Sequence, residues 1–280
     1  MGFAKVNETR VQSLATIVSV LGREKVLLFE DIDPQYKAIK RVAEVCKSYT
    51  SMLVVLNALV SYRLTMTGEE YWTAFSDYVA KHCIGIDSAL SAEYILKIFI
   101  EKFNRALLSK KLFRVSKAVR CRGVLEAIEK RSLTNTWREL SLCLSANPSS
   151  KTIVFAVKML YYAKKALGER VEVPMEIPIP VDGRVALVTY LSGALIVEGV
   201  STSREALLRY SDTIRNVWSK VARLSGVPPL NLDAMIWYFG KYAYMGSRSK
   251  VLEKAFSELK NLFSRDEVEM LVDNLFYLVP

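Results

Sequence analysis

The sequence predicts an all-α protein. Three observations carry that expectation. Apolar residues recur at helical spacing along most of the 280 residues. Capping signals stand where those stripes begin. The 8 prolines and 12 glycines fall largely between the stripes rather than inside them. With 51% apolar residues the chain has enough hydrophobic material for a sizeable core, as one large domain or two packed halves, and disorder is excluded.

Taken in order, residues 8–22 form a helix with Asn7 as its candidate N-cap. "DIDPQYKAIKRVAEVCKSYTSMLVVLNALVSYRL" holds one or two more. Pro34 suits a first helical position, and Tyr36, Ile39, Val42, Ala43 and Cys46 share one stripe. Thr67 with Glu70 forms a capping box at the head of "TGEEYWTAFSDYVAKHC". Helical segments follow at 91–109, 123–131 and 134–148. "NPSSKTIVFAVKMLYYAKK" (147–165) is then a helix apolar on nearly every face, which predicts burial. Gly168 stops it, and Pro174, Pro178 and Pro180 keep the next segment extended. "GRVALVTYLSG" resumes a helix after Asp182, and Gly193 ends it. Residues 202–225, a segment from about Asn231, and two C-terminal segments at 248–263 and 265–277 complete about a dozen helices, with at most a short strand pair near 171–200.

The net charge of +10 is unevenly placed: residues 101–170 hold 16 Lys/Arg against 5 Asp/Glu. The excess positive charge therefore lies in one quarter of the chain, as expected of a surface that meets a phosphate backbone. Within it, Lys110, Arg114 and Lys117 share a helical face in "KKLFRVSKAVRCR". No CxxC pair occurs among Cys46, Cys83, Cys121 and Cys143, so neither a zinc site nor a cysteine-ligated cluster is encoded. Their spacing does not suggest a secreted scaffold and leaves disulfide pairing open. The single histidine, His82, is expected to be structural and partly buried. The N-terminal stretch lacks the features of a secretory signal, and no apolar run reaches the length of a membrane span.

Lysines in a buried helix need a reason. Lys151 falls in the first turn, after Pro148 and the candidate caps Ser149 and Ser150. Free N–H groups at a helix start bind anions such as DNA phosphate. The helix dipole, joined by desolvation in an apolar setting, favours the neutral amine, which is the nucleophilic form. The alternative is a lysine that simply reaches solvent. Asp182, after a proline-stiffened segment, is either an ordinary N-cap or a rigidly held carboxylate that can orient an amine.

These pieces, in this order, resemble the helix–hairpin–helix base-excision DNA glycosylases: a helix, a tight turn, a lysine leading a buried helix, and downstream a P-V-D leading another. Two features depart from most of that superfamily. The lysine-to-aspartate spacing is 31, and "LSANPSS" replaces the usual glycine-rich turn. Both departures, with "NPSSKTIVFAVKMLYYA" and "PLNLDAMIWYFG", are similar to the archaeal 8-oxoguanine DNA glycosylase family (AGOG), over about residues 8 to 240.

The resemblance implies a helix–hairpin–helix glycosylase fold, a single domain of two packed helical subdomains with the active site in the cleft between them, the hairpin and lysine around 134–165 and the P-V-D motif around 178–184. It implies excision of 8-oxoguanine through a lysine Schiff base and β-elimination. The alternatives are another damaged base or a non-catalytic helical DNA-binding protein. Lys151 would be the nucleophile and Asp182 its activating carboxylate. Phe155 and Trp237 would sandwich the extruded base; Gln35, Trp72 and Asp233 would contact it, and Lys158 would line the pocket. Ser149, Ser150, Lys110, Arg114 and Lys117 would meet phosphates. No metal or redox cofactor, membrane or obligate protein partner is implied. The substrate would be double- or single-stranded DNA at an archaeal, cytoplasmic nucleoid.

Overall fold

Helices start where the sequence places their caps. In the computed structural model, which describes residues 3–130, 132–199 and 201–280, β1 (Phe3–Val6) is followed by α1 (Glu8–Leu21), α2 (Arg23–Ile32), α3 (Pro34–Cys46), α4 (Thr50–Ala58), α5 (Gly68–His82) and α6 (Ala89–Phe103). Next come α7 (Leu108–Arg120), α8 (Arg122–Glu129), α9 (Leu133–Leu144), α10 (Lys151–Ala166) and α11 (Gly183–Leu191). After β2 (Leu195–Glu198) the chain forms α12 (Arg204–Leu207), α13 (Ser211–Ser225), α14 (Pro229–Phe239), α15 (Arg248–Leu259) and α16 (Arg265–Leu275). The Asn7 side chain accepts from Arg10 N, Pro34 is in the first turn of α3, and both hydrogen bonds of the Thr67/Glu70 box are made.

Several expectations are corrected. Gly22, at φ 78°, breaks the chain between α1 and α2, and α2 was not anticipated as an element of its own. The expected helix at 202–225 is two, α12 and α13. The strand pair does not lie within 171–200: β2 pairs antiparallel with β1, Phe3 opposite Glu198 and Val6 opposite Leu195.

The chain divides into two compact units, Asp31–Pro174 and a discontinuous one made of Met1–Glu30 and Met175–Pro280. In the first, α10 packs against α3, α4 and α9. Its residues Ile153, Val154, Ala156, Val157, Met159, Leu160, Tyr162 and Ala163 are buried, as its sequence predicts. A buried polar chain joins four helices: the Tyr71 hydroxyl donates to Asn57 Oδ1 (2.6 Å), Asn104 Nδ2 donates to the Val60 carbonyl (2.8 Å), and Lys111 Nζ donates to Asn104 Oδ1. Such groups must find partners because a buried polar atom has lost its water. All four cysteines are paired, Cys46 with Cys83 and Cys121 with Cys143, which settles what their spacing left open.

In the second unit α11 packs against α12, α13 and α14. Trp218 Nε1 donates to Thr189 Oγ1 (2.8 Å), and that hydroxyl donates to the Val185 carbonyl (2.6 Å). Residues 248–280, without an expected role, close this unit. Leu278 N donates to the Leu191 carbonyl (2.8 Å). Arg10 donates to the Ser192 and Asn274 carbonyls (2.9 and 3.0 Å), with its guanidinium 4.0 Å from the Tyr277 ring centre.

Candidate active site

The turn before α10 is built without glycine. α9 ends in a Schellman motif, Ala146 N donating to the Ser141 carbonyl (3.0 Å) and Ser145 N to that of Leu142 (3.2 Å). The left-handed position is held by Ser145, at φ 50°. Asn147 Oδ1 then accepts from Ser149 N (2.8 Å), and Trp137 Nε1 donates to the Pro148 carbonyl (2.8 Å), pinning the turn to α9. Ser150 is the N-cap residue of α10 by position only. Its side chain makes no cap hydrogen bond, and its hydroxyl is buried without a partner. The Ser150 side chain therefore does not serve the first turn, where Ile153 N donates to the Ser150 carbonyl instead (3.0 Å).

Lys151 leads this helix and is exposed, not set in apolar surroundings as expected. Phe155, one turn on and partly exposed, meets Trp72 edge-on, with ring centroids 6.1 Å apart. Trp72 is 1% exposed and also packs edge-on against Phe75 (5.4 Å). Lys158 is buried, and its charge is answered: Nζ lies 3.6 Å from Asp33 Oδ2 and 5.0 Å from the Tyr162 ring centre. Asp33 Oδ2 accepts from the Tyr162 hydroxyl (2.9 Å), and Oδ1 from Gln35 N (2.8 Å). A single buried carboxylate thus caps α3, holds Lys158 and fixes Gln35. Sequence reasoning missed Asp33, although an Asp-Pro pair at a helix start signals a cap.

The basic tract divides by face. Lys110 is exposed, whereas Arg114 and Lys117 are half-buried. Arg114 donates from Nη2 to Thr152 Oγ1 (2.8 Å), beside Lys151, while its Nε is buried without a hydrogen bond. Burial lowers the Arg114 guanidinium below its ordinary range. Lys111, on the other side of α7, is fully buried, and burial pulls its amine down to about 8. His82 is exposed rather than partly buried; it stacks on Tyr78 (4.3 Å), and Nδ1 lies 2.7 Å from the Tyr78 carbonyl.

In the other unit, Asp182 caps α11, its Oδ1 accepting from Arg184 N (2.9 Å) and Val185 N (3.0 Å). The carboxylate is held rigidly, and capping is one of its roles. On α14, Asp233 is buried and Trp237, one turn on, is partly exposed. The Arg184 guanidinium lies 4.0 Å from the Trp237 ring centre. Asn231 Nδ2 donates to the buried Glu30 (2.8 Å). Neither Arg184 nor Glu30 was singled out by sequence. No cluster able to hold a metal ion occurs among the described residues, and no helix among them is long and apolar enough to cross a membrane.

Residues 15–270 match the family model AGOG, described as N-glycosylase/DNA lyase. An N-glycosylase/DNA lyase of Pyrobaculum aerophilum is 34% identical over 246 residues, covering 85% of this chain and 89% of that protein. One from Methanopyrus kandleri is 33% identical, covering 86% and 94%. Among solved structures, the 8-oxoguanine DNA glycosylase of Pyrobaculum aerophilum in complex with 8-oxoguanosine is similar with a TM-score of 0.73 and 30% identity, over 95% of this chain and 96% of that one.

Proposed function

The chain belongs to the AGOG family of N-glycosylase/DNA lyases, and we propose that it excises 8-oxoguanine from DNA with Lys151 as nucleophile. The enzyme is a DNA glycosylase and lyase with a helical glycosylase fold. The observation that carries the finer reading is the exposed Lys151 amine at the head of a buried helix, behind a turn pinned at both ends.

In this mechanism the Lys151 amine, once deprotonated, attacks C1′ of the damaged nucleotide. The N-glycosidic bond breaks, and its electron pair leaves with the base, which takes up a proton. The new ammonium nitrogen loses a proton, its lone pair then expels O4′, which takes up a proton as the sugar ring opens, and the protonated imine forms. Loss of a C2′ proton then expels the 3′ phosphate by β-elimination, and water releases Lys151. Asp182 accepts the amine proton and offsets the positive charge that develops on the sugar. Phe155 and Trp237 stack on the extruded base, with each stacking contact returning about 1–3 kcal/mol of the unstacking cost. Asp233, Gln35, Trp72 and Lys158 shape the base pocket. The first turn of α10, with Ser149, Ser150, Lys110 and Lys117, receives the backbone of double- or single-stranded DNA at the nucleoid.

The test is borohydride reduction of a mixture of enzyme and 8-oxoguanine duplex. The wild-type protein is expected to yield a covalent adduct, and Lys151→Gln to lose it while still binding DNA. Trapping by Lys151→Gln at the wild-type rate ends the assignment. Asp182→Asn is expected to lose base excision with little change in Tm. A collapse of Tm in that variant reduces Asp182 to a helix cap.

A further inference from the structure

Arg184 stands between two residues of the proposed reaction. Its backbone N–H donates to the Asp182 carboxylate (2.9 Å), and its guanidinium covers one face of Trp237 at 4.0 Å. The space for this stacking is kept by Gly240, directly after α14. A Cβ there would come within 2.8 Å of Arg184 Cβ and 3.3 Å of Cγ. Gly240 has an ordinary helical φ of −58°, so the glycine serves the close approach and not an unusual backbone conformation. A planar guanidinium on an indole is favourable in itself, and it orients the ring.

An indole has two faces. We propose that Arg184 is a positioning and specificity residue: it occupies one face of Trp237, leaves the opposite face to the extruded base, and disfavours positively charged bases there. The inference rests on the reading of Trp237 as a stacking ring. A base stacked at van der Waals distance on the far face puts its ring about 7 Å from the guanidinium, given the 4.0 Å on the near face. A neutral, electron-rich purine such as 8-oxoguanine is drawn to a ring polarised by the cation behind it. A cationic alkylated purine such as 7-methylguanine meets like charge through the ring, at a cost of about tenfold or more in affinity.

The test compares wild type with Arg184→Met, Arg184→Lys, Gly240→Ala and Trp237→Ala, with Tm measured for each. Single-turnover excision of 8-oxoguanine is read beside lyase cleavage of a preformed abasic site, which has no base to stack. Arg184→Met is expected to slow excision about tenfold, the loss of one ordered stacking contact, and lyase cleavage by less than about twofold. Gly240→Ala, which displaces the arginine without removing a polar group, is expected to reproduce the effect. A 7-methylguanine duplex should compete for binding about tenfold better against Arg184→Met than against wild type, and Arg184→Lys, which keeps the charge, should restore the discrimination. Equal losses in excision and lyase cleavage, or unchanged competition in Arg184→Met, overturn the inference. Full excision by Trp237→Ala instead removes the stacking reading beneath it.

Discussion

The two units differ in charge balance and in how their charged groups are paired. Asp31–Pro174 carries 23 Lys/Arg against 14 Asp/Glu, both disulfides, and two buried lysines, one met by a carboxylate and one by an amide. The discontinuous unit is near balance, at 16 against 15, and has no cysteine. There Glu30 is buried and accepts from Asn231 (2.8 Å), while the exposed Glu258 accepts from Lys241 (2.5 Å), Tyr242 (3.0 Å) and Tyr238 (3.1 Å). The first unit thus carries nearly all of the excess positive charge. Lys158 is held by Asp33 and Lys111 by Asn104, whereas Glu30 is held by an amide and Glu258 by an ammonium and two hydroxyls.

The comparison breaks most visibly at Asp33. Asp33→Ala takes a carboxylate away from the buried Lys158 cation and from the Tyr162 hydroxyl, and it uncaps α3. A loss of about 3–5 kcal/mol is expected in denaturant unfolding. A loss under about 1 kcal/mol would mean that Asp33 is not the group that holds the charge. Removing a disulfide comes next. The bridges close spans of 37 and 22 residues, so Cys46→Ser with Cys83→Ser, or Cys121→Ser with Cys143→Ser, should each cost about 3 kcal/mol. Thermal melts with and without reductant check this, and the wild-type Tm should fall under reduction.

The pH responses sharpen the contrast. The Lys111 amine lies at about 8 against an ordinary 10.5, because burial disfavours its charge. Between those values the unfolded chain keeps a proton that the fold has released, so the Lys111 contribution to stability rises with pH from 8 to 10.5. For Glu258, burial pushes the carboxyl up, but hydrogen bonds from Lys241 and Tyr242 outweigh it and hold the group at about 2 against 4.5. Its contribution is complete above pH 4.5 and is lost as pH falls toward 2. Stability–pH curves of Lys111→Met and Glu258→Gln, each subtracted from wild type, should isolate an alkaline rise and an acid loss respectively. Equal slopes in both windows would dissolve the distinction. The smallest expected effect is at Ser145, whose left-handed φ of 50° a glycine adopts freely. Ser145→Gly should stabilise by about 1 kcal/mol.

Local signals were legible in the sequence and distant pairings were not. The Thr67/Glu70 box, Pro34, and the apolar girth of α10 each depend on neighbours within a few residues, and each predicts what the structure has. β1 is four residues long, and its partner begins at Leu195, so neither period nor composition could pair them. The cysteine pairs depend on the same kind of long-range closure. Lys111 was readable in principle: it shares its stripe with Val115 and Ala118, away from the face of Lys110, Arg114 and Lys117. At the site, the motif lysine and aspartate were visible as helix heads. The roles of Asp33 and Arg184 depend on Lys158 and Trp237, far along the chain, and no local pattern carries that.

In the proposed reaction Lys151 is the amine that joins the sugar. The most direct test is peptide mapping by mass spectrometry of the borohydride-reduced adduct formed between the wild-type protein and an 8-oxoguanine duplex. The modification is expected on the peptide carrying Lys151 and on that lysine's Nζ. A modification at Lys158 or any other amine, or no adduct with an enzyme that still cuts the strand, would contradict it.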